Sequence, residues 1–148
     1  MPRPPHRHPG PPPTSALDEA LRRVGDRWTL LVVEALLAGP QRFGSLEASI
    51  DGLAPNILSK RLKALEAEGV ITAAPYSQRP YRVAYALTAS GAELAGALRL
   101  LAQWGADRSA GGVGVRHDTC GTAVEARWWC PTCARTIDDD EAPELDFV

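Results

Sequence analysis

The sequence predicts an α+β fold, with four helices before a β-hairpin, one helix after it and a small Cys/His module behind them. Between residues 15 and 69, apolar side chains recur at helical spacing and glycines close several segments. Residues 82–87 alternate between apolar and polar or small side chains, which is the period of a strand. Three cysteines lie within residues 117–133, and an odd number favours metal binding over disulfides.

The two ends of the chain differ in composition from its middle. Residues 1–14 contain seven prolines and predict a disordered, Pro-rich leader. No apolar run there resembles a signal peptide, and no stretch approaches the roughly 18 apolar residues of a membrane span. We therefore expect a soluble, cytoplasmic protein with no membrane partner. Residues 138–148 form an acidic tail with six acids, and the remainder carries 16 bases against 12 acids, which is compatible with nucleic-acid binding.

The first two helices are predicted by their caps and by their apolar spacing. Ser15 can cap a helix that ends at Gly25, and acids occupy its first turn. Asp26 opens a second segment that is apolar almost all round and ends at Gly39-Pro40. A helix with apolar side chains on every face is typical of the middle of a small fold.

The next two helices form a helix-turn-helix. A short helix carries Phe43, Leu46 and Ile50 on one face, and a longer helix spans about residues 54–68 before Gly69. Two helices joined by a tight, glycine-containing turn are typical of this motif. The longer helix is the expected DNA-reading element, because residues 55–65 carry three bases and no acid.

The longer helix has an apolar and a polar face. Leu58, Leu62 and Leu65 share the face expected to contact the core. On the other face, Asn56 is placed to read adenine and Lys60 to read guanine or to bind a phosphate. An ordinary solvated amphipathic helix remains the alternative interpretation of this segment alone.

The hairpin over residues 70–88 favours the DNA-binding interpretation. It contains no acid, and Arg79 and Arg82 flank its tip, where they can reach phosphates or a narrow minor groove. Pro75 and Pro80 are expected to confine regular strand pairing to the two ends of the hairpin. A basic hairpin directly after a basic helix is a wing, so the sequence predicts a winged helix-turn-helix.

Dimerisation is expected to use the N-terminal helix together with the last helix. Thr88 can cap it, and it ends around Trp104-Gly105. Its apolar face, which includes Leu94, Leu98 and Leu101, is broader than one small domain needs. A homodimer explains that width and suits a palindromic operator. The alternative is a helix that only closes its own core.

A Gly-rich linker over residues 109–115 separates the winged-helix domain, residues 15–108, from the Cys/His module, residues 116–137. H-x2-C and C-x2-C spacings predict one structural Zn²⁺ per chain in a zinc-ribbon-like module. The expected ligands are His117, Cys120, Cys130 and Cys133. Residues 122–129 are expected to form a hairpin arm that carries two tryptophans. The alternative is a redox dithiol, although no βαβ pattern surrounds the C-P-T-C sequence.

Several motifs together resemble the HxlR family of winged helix-turn-helix regulators, whose architecture is similar to that of MarR-type proteins. They include GDRWT at residues 25–29, RFGSL at 42–46, LAPNILSKRL at 53–62 and PYRVAYALTASG at 80–91. The resemblance covers about residues 15–105 and implies a dimeric bacterial transcription factor. Many family members carry a sensing cysteine about where this chain has Ser15, and serine cannot form that disulfide.

The resemblance and the residue chemistry together predict a set of DNA-contacting side chains. They are Arg42, Ser45, Pro55, Asn56, Ser59, Lys60, Arg61, Lys63, Arg79 and Arg82. Lys63 is expected to touch phosphate only.

The predicted function is a sequence-specific DNA-binding transcriptional regulator, a dimeric repressor of an inverted-repeat operator, and not an enzyme. The chain has no Ser/His/Asp set, paired-carboxylate site or phosphate-binding glycine loop. A small-molecule effector is a possible partner, for which the four tryptophans are candidate pocket residues. The alternative function is a protein-docking adaptor that uses the winged helix and the zinc module.

Overall fold

The computed structural model describes residues 15–78, 80–138 and 141, within which it forms five helices and five strands. The expected leader (residues 1–14), Arg79 and most of the acidic tail lie outside the described residues. No helix in the described ranges is long and apolar enough to cross a membrane.

The elements follow the predicted order. In the winged-helix domain they are α1 (Ala16–Val24), α2 (Arg27–Leu36), β1 (Gln41–Arg42), α3 (Phe43–Ser49), α4 (Pro55–Ala67), β2 (Ile71–Gln78), β3 (Tyr81–Leu87) and α5 (Ala89–Ala106). The Cys/His module adds β4 (Trp128–Cys130) and β5 (Arg135–Ile137). The predicted α+β fold is confirmed.

Three predicted caps determine where the helices begin. The Ser15 hydroxyl accepts a hydrogen bond from the backbone N–H of Asp18 at 3.0 Å. The Asp26 carboxylate accepts from two backbone N–H groups in the first turn of α2, at 3.0 and 3.2 Å. Thr88 caps α5 in the same way, by accepting from the N–H of Gly91 at 3.1 Å. Each cap satisfies donors that lack a partner within the helix.

The core of the winged-helix domain is built around α2. Its buried side chains include Val32 and Val33, which are 0% exposed, and Leu36. The other fully or nearly fully buried apolar residues of α3, α4 and β2 are Leu46, Leu58, Leu62, Leu65 and Ile71. The prediction that α2 lies in the middle of the fold is therefore confirmed.

The wing is a three-stranded sheet in the order β1-β3-β2. The short strand β1, which the sequence did not indicate, pairs antiparallel with β3. The prediction that prolines confine pairing to the ends of the hairpin is wrong, because pairing runs from Ile71 opposite Leu87 to Gln78 opposite Tyr81. Pro75 is accommodated because β2 is an edge strand, and the register shifts just after it.

The start of α5 is held against the turn between α4 and β2. The Thr88 hydroxyl donates to the Gly69 carbonyl at 2.6 Å, and its backbone N–H donates to the Val70 carbonyl at 3.0 Å. Gly91 is buried in this contact, and a Cβ atom there would lie 2.1 Å from the Val70 carbonyl oxygen. Only glycine therefore allows α5 to approach the sheet so closely.

The chain turns back onto α5 after the helix ends. The backbone N–H of Val115 donates to the Gln103 side-chain oxygen at 2.9 Å. The prediction of a hairpin arm within residues 122–129 is wrong, because Trp128 and Trp129 instead belong to β4 and pair with β5 across the C-P-T-C turn. None of residues 116–137, all of which are described, is buried.

Candidate DNA-binding surface and Cys/His module

Helix α4 presents a polar face to solvent because its apolar face is anchored in the core. Leu58, Leu62 and Leu65 are at most 2% exposed. The exposed side chains on the rest of the helix include Asn56, Ser59, Lys60 and Lys63. At the N-terminus, Pro55 occupies the first turn, and Ala54 provides no side-chain cap. Pro55 has no N–H and the N–H of Ile57 donates to the Ala54 carbonyl at 3.0 Å, so the backbone N–H of Asn56 is the first-turn donor that an acceptor from outside the helix can reach.

Arg61 differs from the other bases of α4. Its guanidinium donates from Nη2 to Oδ2 of Asp26 at 2.9 Å, with 27% of its side chain exposed. Its Nε is buried and has no hydrogen-bond partner among the described residues. Since Asp26 also caps α2, this ion pair fixes α4 to the start of the central helix.

A groove of about 430 Å³ lies between the start of α3 and the wing. Three of the predicted DNA-contacting residues line it: Arg42, Ser45 and Arg82. Tyr76, which the sequence reasoning did not include, lies beside them, with its ring centroid 4.5 Å from the Arg42 guanidinium carbon. Its position as an aromatic residue in a basic hairpin could have identified Tyr76 from the sequence, because an exposed ring there can hold an arginine in place.

A second, smaller groove of about 220 Å³ lies between α4 and the sheet. Ser59 and Lys63 line it together with Glu66. The carboxylate marks the end of the basic face, because it would repel a phosphate placed further along the helix. Lys63 thus lies at the border of the basic face of α4, next to Glu66, and Lys60 lies further from that carboxylate.

Two helices expose apolar side chains that their own domain does not cover. On α1, Leu17 and Leu21 are just over half exposed. On α5, Leu94 and Leu98 pack against the core, whereas the last two turns of the helix expose a further apolar set. That set is Leu100, Leu101 and Trp104, of which Trp104 is 59% exposed.

A cavity of about 250 Å³ separates α5 from the segment that turns back onto it. Its apolar walls include Leu100, Val115 and Val124, and its polar rim includes Arg99 and Gln103. No tryptophan lines this cavity, so the residues suggested from the sequence are not the ones that form it.

The four predicted metal ligands form two close pairs. His117 Nδ1 lies 3.3 Å from Cys120 Sγ, and the backbone N–H of Cys133 donates to Cys130 Sγ at 3.4 Å. Across residues 15–78, 80–138 and 141, no three His, Cys, Asp or Glu side chains lie close enough to hold one metal ion.

Local hydrogen bonds favour the thiolate form in both pairs. The hydroxyl and backbone N–H of Thr122, followed by His117, lower the pKa of the Cys120 thiol to about 7. The backbone N–H of Cys133, its side chain and the backbone of Thr132 lower the pKa of Cys130. Hydrogen bonds to a charged form stabilise that form, which is the cause of both shifts.

The HxlR-like helix-turn-helix family matches residues 23–110 of this chain. An HTH-type transcriptional regulator of Mycobacterium tuberculosis is 37% identical over 126 residues, which cover 82% of this chain and 79% of that protein.

Solved structures agree with the sequence relatives. A transcription factor from Pseudomonas aeruginosa superimposes with a TM-score of 0.66 at 32% identity, covering 84% of this chain and 87% of that one. A MarR-family transcriptional regulator from Enterococcus faecalis gives a TM-score of 0.55 at 32% identity, covering 61% and 82%.

Proposed function

This chain belongs to the HxlR-like helix-turn-helix family and is a DNA-binding transcriptional regulator, and we propose that it is a dimeric repressor of an inverted-repeat operator. The observation that carries the proposal is the polar face of α4, which is exposed because the opposite face is buried in the core. In such folds this helix enters the major groove. A dimer bound across a promoter would then exclude the polymerase.

Base reading is assigned to the exposed start and middle of α4. Asn56 can form a bidentate contact with adenine, and Lys60 can bind the acceptors of guanine. Pro55 and Ser59, both exposed on this helix, are assigned to the same contact region, and the backbone N–H of Asn56 can donate to a phosphate oxygen. Lys63 is assigned to a phosphate at the border of the surface.

The groove between α3 and the wing is assigned to the flanking DNA backbone. Arg42 and Arg82 provide two positive charges there, and the Ser45 hydroxyl adds a hydrogen-bond donor. Tyr76 positions Arg42 by stacking against its guanidinium. Arg79 remains a predicted minor-groove contact of the wing tip.

Arg61 is assigned a positioning role instead of a base contact. Its ion pair with Asp26 occupies the guanidinium and lies on the flank of α4 that faces α2. Freeing that guanidinium for DNA would leave the partly buried carboxylate without its partner, which is costly. Arg61 therefore sets the angle of the reading helix.

Dimerisation is assigned to α1 and α5. The exposed leucines of α1 and the exposed apolar residues in the last two turns of α5 together provide apolar area that a second copy can cover. A two-fold dimer presents two copies of α4 to successive major grooves, which suits an inverted repeat. Light scattering of Leu101→Glu should give a monomer with weakened operator binding, whereas a dimeric Leu101→Glu would refute this interface.

A small-molecule effector is assigned to the cavity beside α5. Its walls are mostly apolar, and the guanidinium of Arg99 could bind the carboxylate of a small, largely apolar acid in competition with the Glu125 carboxylate that also lines the cavity. Because Leu100 lines the cavity and also belongs to the exposed apolar set of α5, a ligand there would alter the proposed dimer helix. A panel of small aromatic and aliphatic acids should release the repressor from its operator, and Arg99→Ala should lose that response.

The decisive experiment is selection of bound fragments from the source genome, with the wild-type chain and with Lys60→Ala and Arg82→Ala variants. We expect recovery of a short inverted repeat that both variants lose or bind more weakly. Arg127→Ala removes one charge from the Cys/His module and serves as the matched control. A reporter gene placed behind the recovered repeat should rise in expression when the regulator is deleted, as repression requires.

Weak, sequence-independent recovery that is unchanged in the variants would contradict the DNA-reading assignment and favour the protein-docking alternative. The proposed function consists of binding alone, requires no catalytic step and places the protein with the chromosome in the bacterial cytoplasm.

A further inference from the structure

We propose that His117, Cys120, Cys130 and Cys133 bind one structural Zn²⁺ ion per chain. The site does not depend on the DNA-binding surface, because it lies wholly within the exposed Cys/His module. It is argued from the shape of two turns, here called the first tip (residues 116–123) and the second tip (residues 129–136).

The two tips have the same backbone design. In the first, Arg116 bridges to Ala123, and the N–H of His117 donates to the Thr122 carbonyl at 2.9 Å. In the second, Trp129 pairs with Thr136 and Cys130 pairs with Arg135. In each tip, the first proposed ligand (His117 or Cys130) is the last paired residue before the turn. The second proposed ligand (Cys120 or Cys133) follows three residues later.

The residue after the second ligand of each tip has a left-handed backbone conformation. Gly121 has a φ of 69°, and Ala134 has a φ of 51°. Ala134 is the only residue other than glycine with a positive φ among the described residues. An alanine rarely adopts this conformation, so its appearance at the position equivalent to Gly121 shows that both tips need the same sharp turn behind the second ligand. Such a turn directs backbone N–H groups towards the ligand atoms.

The spacing of the first pair matches two vertices of a zinc tetrahedron. Bond lengths of about 2.3 Å to sulfur and 2.0–2.1 Å to nitrogen place those two ligand atoms about 3.6 Å apart. The observed distance between His117 Nδ1 and Cys120 Sγ is 3.3 Å. The second pair is also compact, since the N–H of Cys133 reaches Cys130 Sγ. Each tip therefore provides half of a tetrahedral site.

The module has no apolar core that could hold its shape. None of residues 116–137 is buried, and Trp128 and Trp129 are both at least 60% exposed. A segment this small needs another source of folding free energy. Ligation of zinc supplies that free energy in domains of this size.

Binding one ion through all four ligands requires the two tips to meet. The segment that joins them, residues 124–127, forms no helix or strand, so it can allow that approach. Binding would release the thiol protons of three cysteines and leave three thiolates and one neutral imidazole around Zn²⁺. All four positions are then filled by the protein, which is typical of a structural site.

The test is zinc analysis of the full-length chain, purified without a polyhistidine tag under reducing conditions. We expect about one zinc ion per wild-type chain. In Cys120→Ser and in Cys133→Ser, the zinc content per chain should fall by about tenfold or more. Thr119→Ala and Thr132→Ala occupy the same position of each tip and should retain the metal. As a check that needs no variant, Co²⁺ substitution should give the intense visible absorption of a tetrahedral thiolate site.

Three results would overturn the site. They are a wild-type chain without zinc, a Cys130–Cys133 disulfide in its place, or metal that is lost in Cys133→Ser but retained in Cys120→Ser. DNA affinity is measured on the same samples. Absent zinc with intact DNA binding then overturns the metal site alone, whereas one zinc per chain without DNA binding supports the site and refutes the proposed function alone.

Discussion

The winged-helix domain and the Cys/His module illustrate two ways of giving a short chain a shape. Within the part of the chain that the structure describes, every buried apolar side chain lies in the winged-helix domain. The module instead has two hydrogen-bonded turns with sulfur and nitrogen atoms at their tips. The domain depends on apolar burial, whereas the module would depend on the proposed zinc ion.

The same contrast separates the polar surfaces of the two regions. On α4, the exposed side chains are held in place by leucines behind them, so their positions follow from packing. In the module, the four predicted zinc ligands are held only by local backbone turns. Conditions that weaken apolar packing, charge attraction or metal ligation should therefore affect the two regions differently.

The largest difference is expected in the response to salt. Raising the salt from about 50 mM to about 200 mM should weaken DNA binding by about 10³-fold, because counterions compete for the phosphates. Zinc content should not change, because coordinate bonds are not screened in this way. Lys63→Ala should lower the slope of log affinity against log salt by about 1. Fluorescence anisotropy with operator DNA provides the measurement, and an unchanged slope would remove Lys63 from the phosphate contacts.

The second difference concerns the free energy of unfolding. Leu58→Ala should destabilise the winged-helix domain by about 3 kcal/mol, because it leaves a cavity at a side chain that is 0% exposed. Cys133→Ser should leave this transition within about 0.5 kcal/mol while abolishing zinc binding. Urea denaturation followed by circular dichroism measures both variants. A shared loss of stability would show that the module and the domain unfold as one unit.

A smaller effect separates Arg61 from the bases that face solvent. Arg61→Met should cost about 1 kcal/mol of unfolding free energy, because it removes the ion pair with Asp26. Lys60→Met should leave stability within about 0.5 kcal/mol and should lose about 1–3 kcal/mol of operator affinity instead. The opposite assignment, with Lys60 stabilising the fold and Arg61 reading bases, would invert these two results.

The smallest effect concerns the strained alanine of the second tip. Ala134→Gly should relieve about 1 kcal/mol of backbone strain at a φ of 51°. Zinc affinity should then rise by up to about fivefold, because a gain of about 1 kcal/mol lowers the dissociation constant by about that factor. Competition with a chromogenic chelator measures the change. A weaker affinity in the glycine variant would mean that Ala134 stabilises the tip through its side chain.

Much of the winged-helix domain was predictable because its signals are local. The caps at Ser15, Asp26 and Thr88 are side-chain signals that act within one turn. The leucine face of α4 follows from helical periodicity. The pairing through Pro75 was not predictable, because it depends on whether a strand lies at the edge of its sheet. The tryptophans were misplaced for a similar reason, since the partner of β4 lies beyond the second ligand pair.

Sequence alone is sufficient to derive the order of the elements, the buried and exposed faces of α4, and the family to which the chain belongs. Those properties depend on neighbours along the chain, so periodicity and motifs specify them. Three features could be seen only in the folded chain: Arg61 is held by Asp26, Tyr76 stacks on Arg42, and the four predicted zinc ligands lie in two equivalent tips. Each of these depends on contacts between segments or on backbone angles, which composition and spacing do not specify.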